Sequence, residues 1–134
     1  MKISVIVPVY NEEDIIGTCI EALLNQDYPK EDYEIIVVND GSTDNSLKTL
    51  KKYSDKIKII EQDNRGAPAA RNRGAKEATA PFLIFCDSDI ILNPDCLEKM
   101  LKGLKDNKDA AYAYSAFKFG FKTFKLWPFD ADKL

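Results

Sequence analysis

Four short apolar runs divide the first two thirds of the chain: Ile3-Ser4-Val5-Ile6-Val7, Glu34-Ile35-Ile36-Val37-Val38, Ile57-Lys58-Ile59-Ile60 and Phe82-Leu83-Ile84-Phe85-Cys86. The first, second and fourth are nearly continuous and rich in β-branched or aromatic residues, the pattern of strands buried on both faces. Lys58 interrupts the third, which places it nearer a sheet edge. Between the runs the apolar period lengthens to that of helices. Glu12 to Asn25 sets Ile16, Ile20 and Leu23 on one stripe, with Asn11 as the expected N-cap and acidic residues in the first turn. Thr43 to Tyr53 repeats Leu47 and Leu50 after a Gly41-Ser42 turn. Ala67 to Ala78 carries Ala69, Ala70, Gly74 and Ala75, small residues suited to close packing on a sheet, and a fourth helix opens at Asn93-Pro94-Asp95 and runs to the neighbourhood of Leu104.

This strict β-α alternation predicts an α/β domain, a mostly parallel sheet with helices on both faces and right-handed crossovers. Ala110 to Ser115 is a candidate fifth strand, so residues 1–115 are expected to form the domain. Residues 116–134 differ: Phe117, Phe119, Phe121, Phe124, Trp127 and Phe129 follow no clean period, and this segment reads as the start of a further part or as a packing arm. In sheets of this kind ligands gather at the carboxyl ends of the strands, at the topological switch point. The rule says where function belongs before any motif is named.

Composition narrows the classes. A chain of 134 residues holds one domain with one core. Its apolar share of 45% and charged share of 31% are those of an ordinary globular protein. A net charge of −3, with lysines scattered among acidic neighbours, argues against nucleic acid as a partner. There is no histidine, which removes Ser-His and Cys-His triads, and Cys19, Cys86 and Cys96 lack the spacing of a zinc site. Buried free thiols in a reducing compartment are expected instead. The N-terminus has no signal-peptide pattern, and no apolar run nears the ~20 residues of a membrane span. A cytoplasmic location is expected, at the cytoplasmic face of a membrane if segments outside this chain supply an anchor.

Chemistry must then rest on carboxylates, a metal or backbone groups, and the polar residues after each strand supply candidates. They are Pro8-Val9-Tyr10-Asn11-Glu12, Asn39-Asp40-Gly41-Ser42-Thr43-Asp44, Asp63-Asn64-Arg65-Gly66 leading to Arg71, and Asp87-Ser88-Asp89. Alone, Asp87-Ser88-Asp89 reads first as a helix cap. Placed after an apolar strand beside three other polar loops, it reads as a site for Mg²⁺ or Mn²⁺ carrying a diphosphate, because paired carboxylates there need compensating charge. Asp40 can accept a hydrogen bond from a base N–H such as uracil N3–H, close an Asx turn with Gly41, or do both. Tyr10 offers a flat face to a base or packs at the rim. Arg71 can bind phosphate or pair with Asp40 or Asp87. Asn64 and Gly66 read first as turn residues and second as ligand contacts.

Together the segments S-V-I-V-P-V-Y-N-E (Ser4 to Glu12), V-V-N-D-G-S-T-D (Val37 to Asp44), N-R-G-A-P-A-A-R-N-R-G (Asn64 to Gly74) and F-C-D-S-D (Phe85 to Asp89) closely resemble family 2 glycosyltransferases of the GT-A fold. The match spans roughly the first hundred residues, in order and spacing. The resemblance implies a Rossmann-like sheet, a nucleoside-diphosphate-sugar donor, most often a UDP-sugar, and an inverting transfer to an acceptor that is a glycan, lipid or protein. It implies that Pro8, Val9, Tyr10 and Asp40 hold the base, with Glu12 near the ribose and Arg71 near the base or phosphates. Asp89, helped by Asp87, would ligate Mn²⁺ or Mg²⁺. The family's acceptor-side base is not found before Leu134, and no motif supports Asp130 or Asp132 in that role. The chain is therefore expected to end before the acceptor half, with a donor-binding module lacking its base as the alternative to a working transferase.

Overall fold

The computed structural model describes residues 2–107 and 109, together with the backbone of residues 118–119 and 122–123. The elements follow the alternation read from the sequence: β1 (Ile3–Val9), α1 (Ile16–Leu24), β2 (Tyr33–Asp40), α2 (Ser46–Lys51), β3 (Lys58–Gln62), α3 (Ala67–Glu77), β4 (Phe82–Phe85) and α4 (Cys96–Asp106). A 3-10 turn, Lys30–Asp32, leads into β2. Two short strands, β5 (Lys118–Phe119) and β6 (Lys122–Thr123), pair antiparallel. Contacts divide the chain into one compact unit, Met1–Glu98, and a second, Lys99–Leu134. The expected strand at Ala110 to Ser115 and the expected boundary after residue 115 lie outside the described residues.

The first four strands form a parallel sheet in the order β3-β2-β1-β4. The chain first builds outward from β1 to β2 and β3, then crosses back to place β4 on the other side of β1. That reversal is the switch point, and it lies between β1 and β4. Right-handed crossovers put α1 and α2 on one face of such a sheet and α3 on the other; α1 and α2 touch each other, and α3 packs across β1 and β2.

β1 is buried along its whole length, as a central strand covered on both faces must be. Ile16, Ile20 and Leu23 of α1, the stripe predicted from spacing, are fully buried together with Cys19, and each of the three apolar side chains of that stripe stabilises by roughly 1.5–3 kcal/mol. On the other face Ile36, Val38, Ile60 and Ala70 form one cluster with Ala78 packed against it. Gly74 explains the close approach of α3, since a Cβ there would meet Ile6 Cγ2 at 2.5 Å. At the amino end of the sheet Ser4 Oγ, Thr79 N–H and Thr79 Oγ1 all donate to Glu34 Oε1 at 2.6, 2.8 and 2.7 Å, binding β1, β2 and the approach to β4 together.

Two expectations are corrected. Asn11 does not cap α1: the first turn closes on the Glu12 carbonyl, which accepts from Ile15 and Ile16 N–H at 3.1 and 2.9 Å. Asn11 instead takes a left-handed φ of 52°, and its side chain caps the neighbouring loop. Nor is β4 buried on both faces, for Leu83 and Phe85 are 40% and 51% exposed. Phe85 is the register partner of Ile6, so it points to the α3 side, but α3 packs over β1 and β2 and leaves this edge strand uncovered among the described residues. An uninterrupted apolar run does not by itself reveal which strand ends up at an edge.

Candidate functional site

Parallel pairing brings all four polar loops to one edge of the sheet, as predicted. The first two are laced together. Asn11 N–H donates to Ser42 Oγ at 3.0 Å, Glu12 N–H to Ser46 Oγ at 2.8 Å and Glu13 N–H to Asp44 Oδ2 at 3.1 Å. In return Thr43 N–H donates to Asn11 Oδ1 and Asn45 N–H to Glu13 Oε2, both at 2.8 Å. Amides of the segments leading into α1 and α2 are thus satisfied across the gap between the loops, by side chains of the opposite loop, while Ser46 N–H at the start of α2 takes Asp44 Oδ1 of its own loop at 2.9 Å. This fixes the segment that carries Tyr10 and Glu12.

The third loop is anchored on Asp40. This carboxylate is only 2% exposed. Its Oδ1 accepts from Gln62 Nε2 at 2.7 Å and Arg65 N–H at 2.9 Å, and its Oδ2 accepts from Gly66 N–H at 2.8 Å. Burial alone would raise the Asp40 carboxyl, but the donors from Gln62, Arg65 and Gly66 outweigh it and hold the group below the usual carboxylate range. Asn64 Nδ2 adds a bond to the Asp40 carbonyl at 3.1 Å. Gly41 makes this approach possible: it sits at φ 72°, and a Cβ there would lie 2.7 Å from Asn64 N. Asn64 and Gly66 thus both serve the turn behind Asp40.

The fourth loop is more open. Arg71, on α3, pairs with Asp87 Oδ1 at 2.6 Å, with the two side chains 34% and 57% exposed. Of the two carboxylates considered for Arg71, it meets Asp87. Beneath the loop, the thiols of Cys19 and Cys86 both reach the Asp87 carbonyl, at 3.9 and 3.5 Å. Both are buried and free, as expected. The neighbouring Cys19 thiol and burial push the Cys86 thiol up, so it stays protonated. Ser88 is buried and Asp89 exposed.

Pro8, Val9, Tyr10, Glu12, Asp40, Arg71, Asp87 and Ser88 line a single cleft of about 250 Å³, joined by Ala67 at the start of α3. It lies at the carboxyl ends of β2, β1 and β4 and so spans the switch point. Asn64, Gly66 and Asp89 are not among its lining residues. Sequence reasoning missed Gln62 and Ser46, and it named Ser42 and Asp44 in their loop without the lacing role they play. Nothing local in the sequence marks Gln62; the register of β3 on β2 sets it opposite Asp40. Asp87 and Asp89 offer oxygen ligands of the kind Mg²⁺ and Mn²⁺ prefer. Among the described residues no group of three His, Cys, Asp or Glu side chains could cage a metal.

An open parallel sheet with its polar loops gathered at the switch point defines a ligand-binding α/β domain. Comparison with known proteins gives the family. The model of glycosyl transferase family 2 matches residues 4–132, and the chain belongs to that family. It is 44% identical over 113 residues to the poly(ribitol-phosphate) beta-glucosyltransferase of Bacillus spizizenii, covering 81% of this chain and 18% of that one. Among solved structures it is similar to S. aureus TarS 1-349 in complex with UDP, with a TM-score of 0.74, 37% identity and coverage of 81% of this chain and 33% of that one. It is also similar to the mannosyltransferase PcManGT from Pyrobaculum calidifontis in complex with GDP-Man and Mn²⁺, with a TM-score of 0.75, 28% identity and coverage of 79% and 33%. The fold is thus the GT-A fold expected from the motifs. The chain spans no more than a third of the length of these relatives. No helix among the described residues is long and apolar enough to cross a membrane.

Proposed function

We propose that residues 1–115 form the donor-binding domain of an inverting glycosyltransferase that takes a nucleoside-diphosphate sugar, with uracil as the base, together with Mn²⁺ or Mg²⁺. One observation carries this reading: the cleft at the switch point brings an exposed aromatic ring, a buried ionised carboxylate, an arginine and the Asp87 carboxylate within one ligand's length. Its 250 Å³ is below the ~300–1,000 Å³ of pockets that enclose a drug-sized molecule, so it suits the nucleoside end. The diphosphate then extends past Arg71 toward Asp87 and Asp89. Tyr10, 48% exposed, presents its ring for stacking on the base. Asp40 accepts the base N–H, Pro8 and Val9 wall the base, Glu12 faces the ribose, and Ser88 lies beneath the phosphates. Asn64 and Gly66 support this site by holding Asp40.

A divalent ion bound by Asp89 and Asp87 would supply Lewis-acid stabilisation to the leaving diphosphate. Arg71 serves the same end from the other side: it holds Asp87 in place and adds positive charge where the phosphates lie. Transfer also needs a base within hydrogen-bond reach of the acceptor hydroxyl. Among the described residues Asp40 is held by its own loop and assigned to the base N–H, and Asp87 and Asp89 are assigned to the metal. This favours, as a second reading, a module that binds donor without completing transfer. The acceptor is a glycan, lipid or protein.

Calorimetry with UDP and Mn²⁺ tests the donor reading. Wild type should bind UDP more tightly with Mn²⁺ than without, and Asp89→Ala should lose at least about tenfold of that affinity, the loss of roughly one charge-assisted contact. Equal binding by wild type and Asp89→Ala, or no metal dependence, would refute it. Release of sugar or transfer by this chain, abolished in Asp89→Ala, would decide against the inactive module.

A further inference from the structure

The fold alone does not choose the nucleobase, since the two structural relatives named above were solved with UDP and with GDP-Man. The choice has to be made by side chains at the base end of the cleft, where Asp40 is the buried acceptor. A carboxylate offers about four lone-pair sites, two on each oxygen. Asp40 Oδ1 receives Gln62 Nε2 at 2.7 Å and Arg65 N–H at 2.9 Å, so it is full. Oδ2 receives only Gly66 N–H, at 2.8 Å, and keeps one site. At 2% exposure Asp40 has no bulk water with which to exchange these partners freely.

The donor patterns of the bases differ in the same currency. The imide edge of uracil presents one N–H, at N3. Guanine presents two donors side by side, N1–H and the 2-amino group, a pair that would call on both oxygens of a carboxylate at once. An Asp40 with Oδ1 occupied can serve the first pattern and fails the second. We infer that Gln62 sets base selectivity: by filling Asp40 Oδ1 it leaves a single acceptor, which favours uracil and rejects guanine. The inference rests on the proposal that Asp40 faces the base.

Gln62 is the adjustable member of the set. The Arg65 and Gly66 donors are backbone amides and persist through any side-chain change. Gln62 ends β3 in register with Asp40, so its side chain is delivered to the carboxylate by strand pairing. Since a carboxylate only accepts, the amide has to turn Nε2, and not its oxygen, toward Asp40. Gln62 acts through Asp40 and is a specificity-positioning residue with no part in the chemistry.

The test compares UDP, GDP and IDP by calorimetry in the presence of Mn²⁺, for wild type and Gln62→Met. GDP and IDP differ only by the 2-amino group, so their ratio isolates the second donor from purine size. Wild type should bind UDP most tightly and GDP no better than IDP. In Gln62→Met, where Oδ1 regains a free site, GDP should gain about tenfold over IDP, the value of one added arm of a bidentate contact. Wild type that prefers GDP over IDP overturns the inference, and that comparison stands even if Gln62→Met does not fold. So does a Gln62→Met that still binds UDP while its GDP-to-IDP ratio stays at the wild-type value. A wild type that binds none of the three removes the donor reading itself and this inference with it, an outcome distinct from the other two.

Discussion

Asp40 ends β2 at 2% exposure with three donors on its carboxylate, whereas Asp87, two strands away along the same edge, is 57% exposed on its side chain and holds one guanidinium. Both are aspartates just past an apolar strand. Their neighbours make the difference. β2 is an interior strand, so β3 delivers Gln62 beside it and the loop into α3 folds its amides over it. β4 borders the switch point and has no further strand beside it among the described residues, so Asp87 meets only Arg71 on α3. The interior carboxylate became a fastener for the loops. The edge carboxylate stayed accessible to a cation.

Asp40→Ala leaves Gln62 Nε2 and the Arg65 and Gly66 amides without their acceptor in a buried place, and should cost about 3 kcal/mol or more of stability. Urea denaturation of wild type and variant at neutral pH measures it; a loss below about 1 kcal/mol would mean that water replaces the carboxylate easily.

Acid sharpens the same contrast with a smaller effect. Because the folded Asp40 carboxyl lies below its ordinary value, its stabilisation is fully present above the unfolded value of about 3.9 and is lost as pH falls toward the folded one. The stability gap between wild type and Asp40→Asn should therefore be widest near neutrality and narrow below about pH 4. Glu34, lowered by its bonds to Ser4 and Thr79 against the cost of burial, retains a similar dependence in both proteins. Melting curves across that range check this, and a constant gap would show that Asp40 is not held ionised by its loop.

The smallest effect is expected at the open side. Asp87→Ala removes an ion pair whose members are both substantially solvent-exposed, and such pairs contribute at most about 1 kcal/mol. Melting should barely move while metal-dependent UDP binding falls. A loss of stability matching that of Asp40→Ala would erase the distinction between the two carboxylates.

Much of this was legible in the sequence because the signals are local and periodic. The β-α alternation, the buried stripe of Ile16, Ile20 and Leu23, and the start of α3 at Ala67 depend on neighbours within a few residues. So does the placement of Tyr10, Glu12, Asp40 and Asp87 just past strand ends, from which eight of the nominated residues reach one cleft. Asn11 misled because its side chain is engaged by a loop more than thirty residues away, through Thr43 N–H, and not by the start of α1. Phe85 misled because an apolar run reports what a strand contains and not what lies over it.

The sequence by itself determined the fold class, the edge at which the site lies and the residue types present there, since parallel pairing of apolar strands leaves few other arrangements. Only the tertiary structure decided how those residues divide the work. It paired Arg71 with Asp87 and not Asp40, and it set Gln62 beside Asp40 through strand register. The reason is physical: a carboxylate's role follows from how many donors surround it and how much water reaches it, and both are properties of residues brought together from distant parts of the chain.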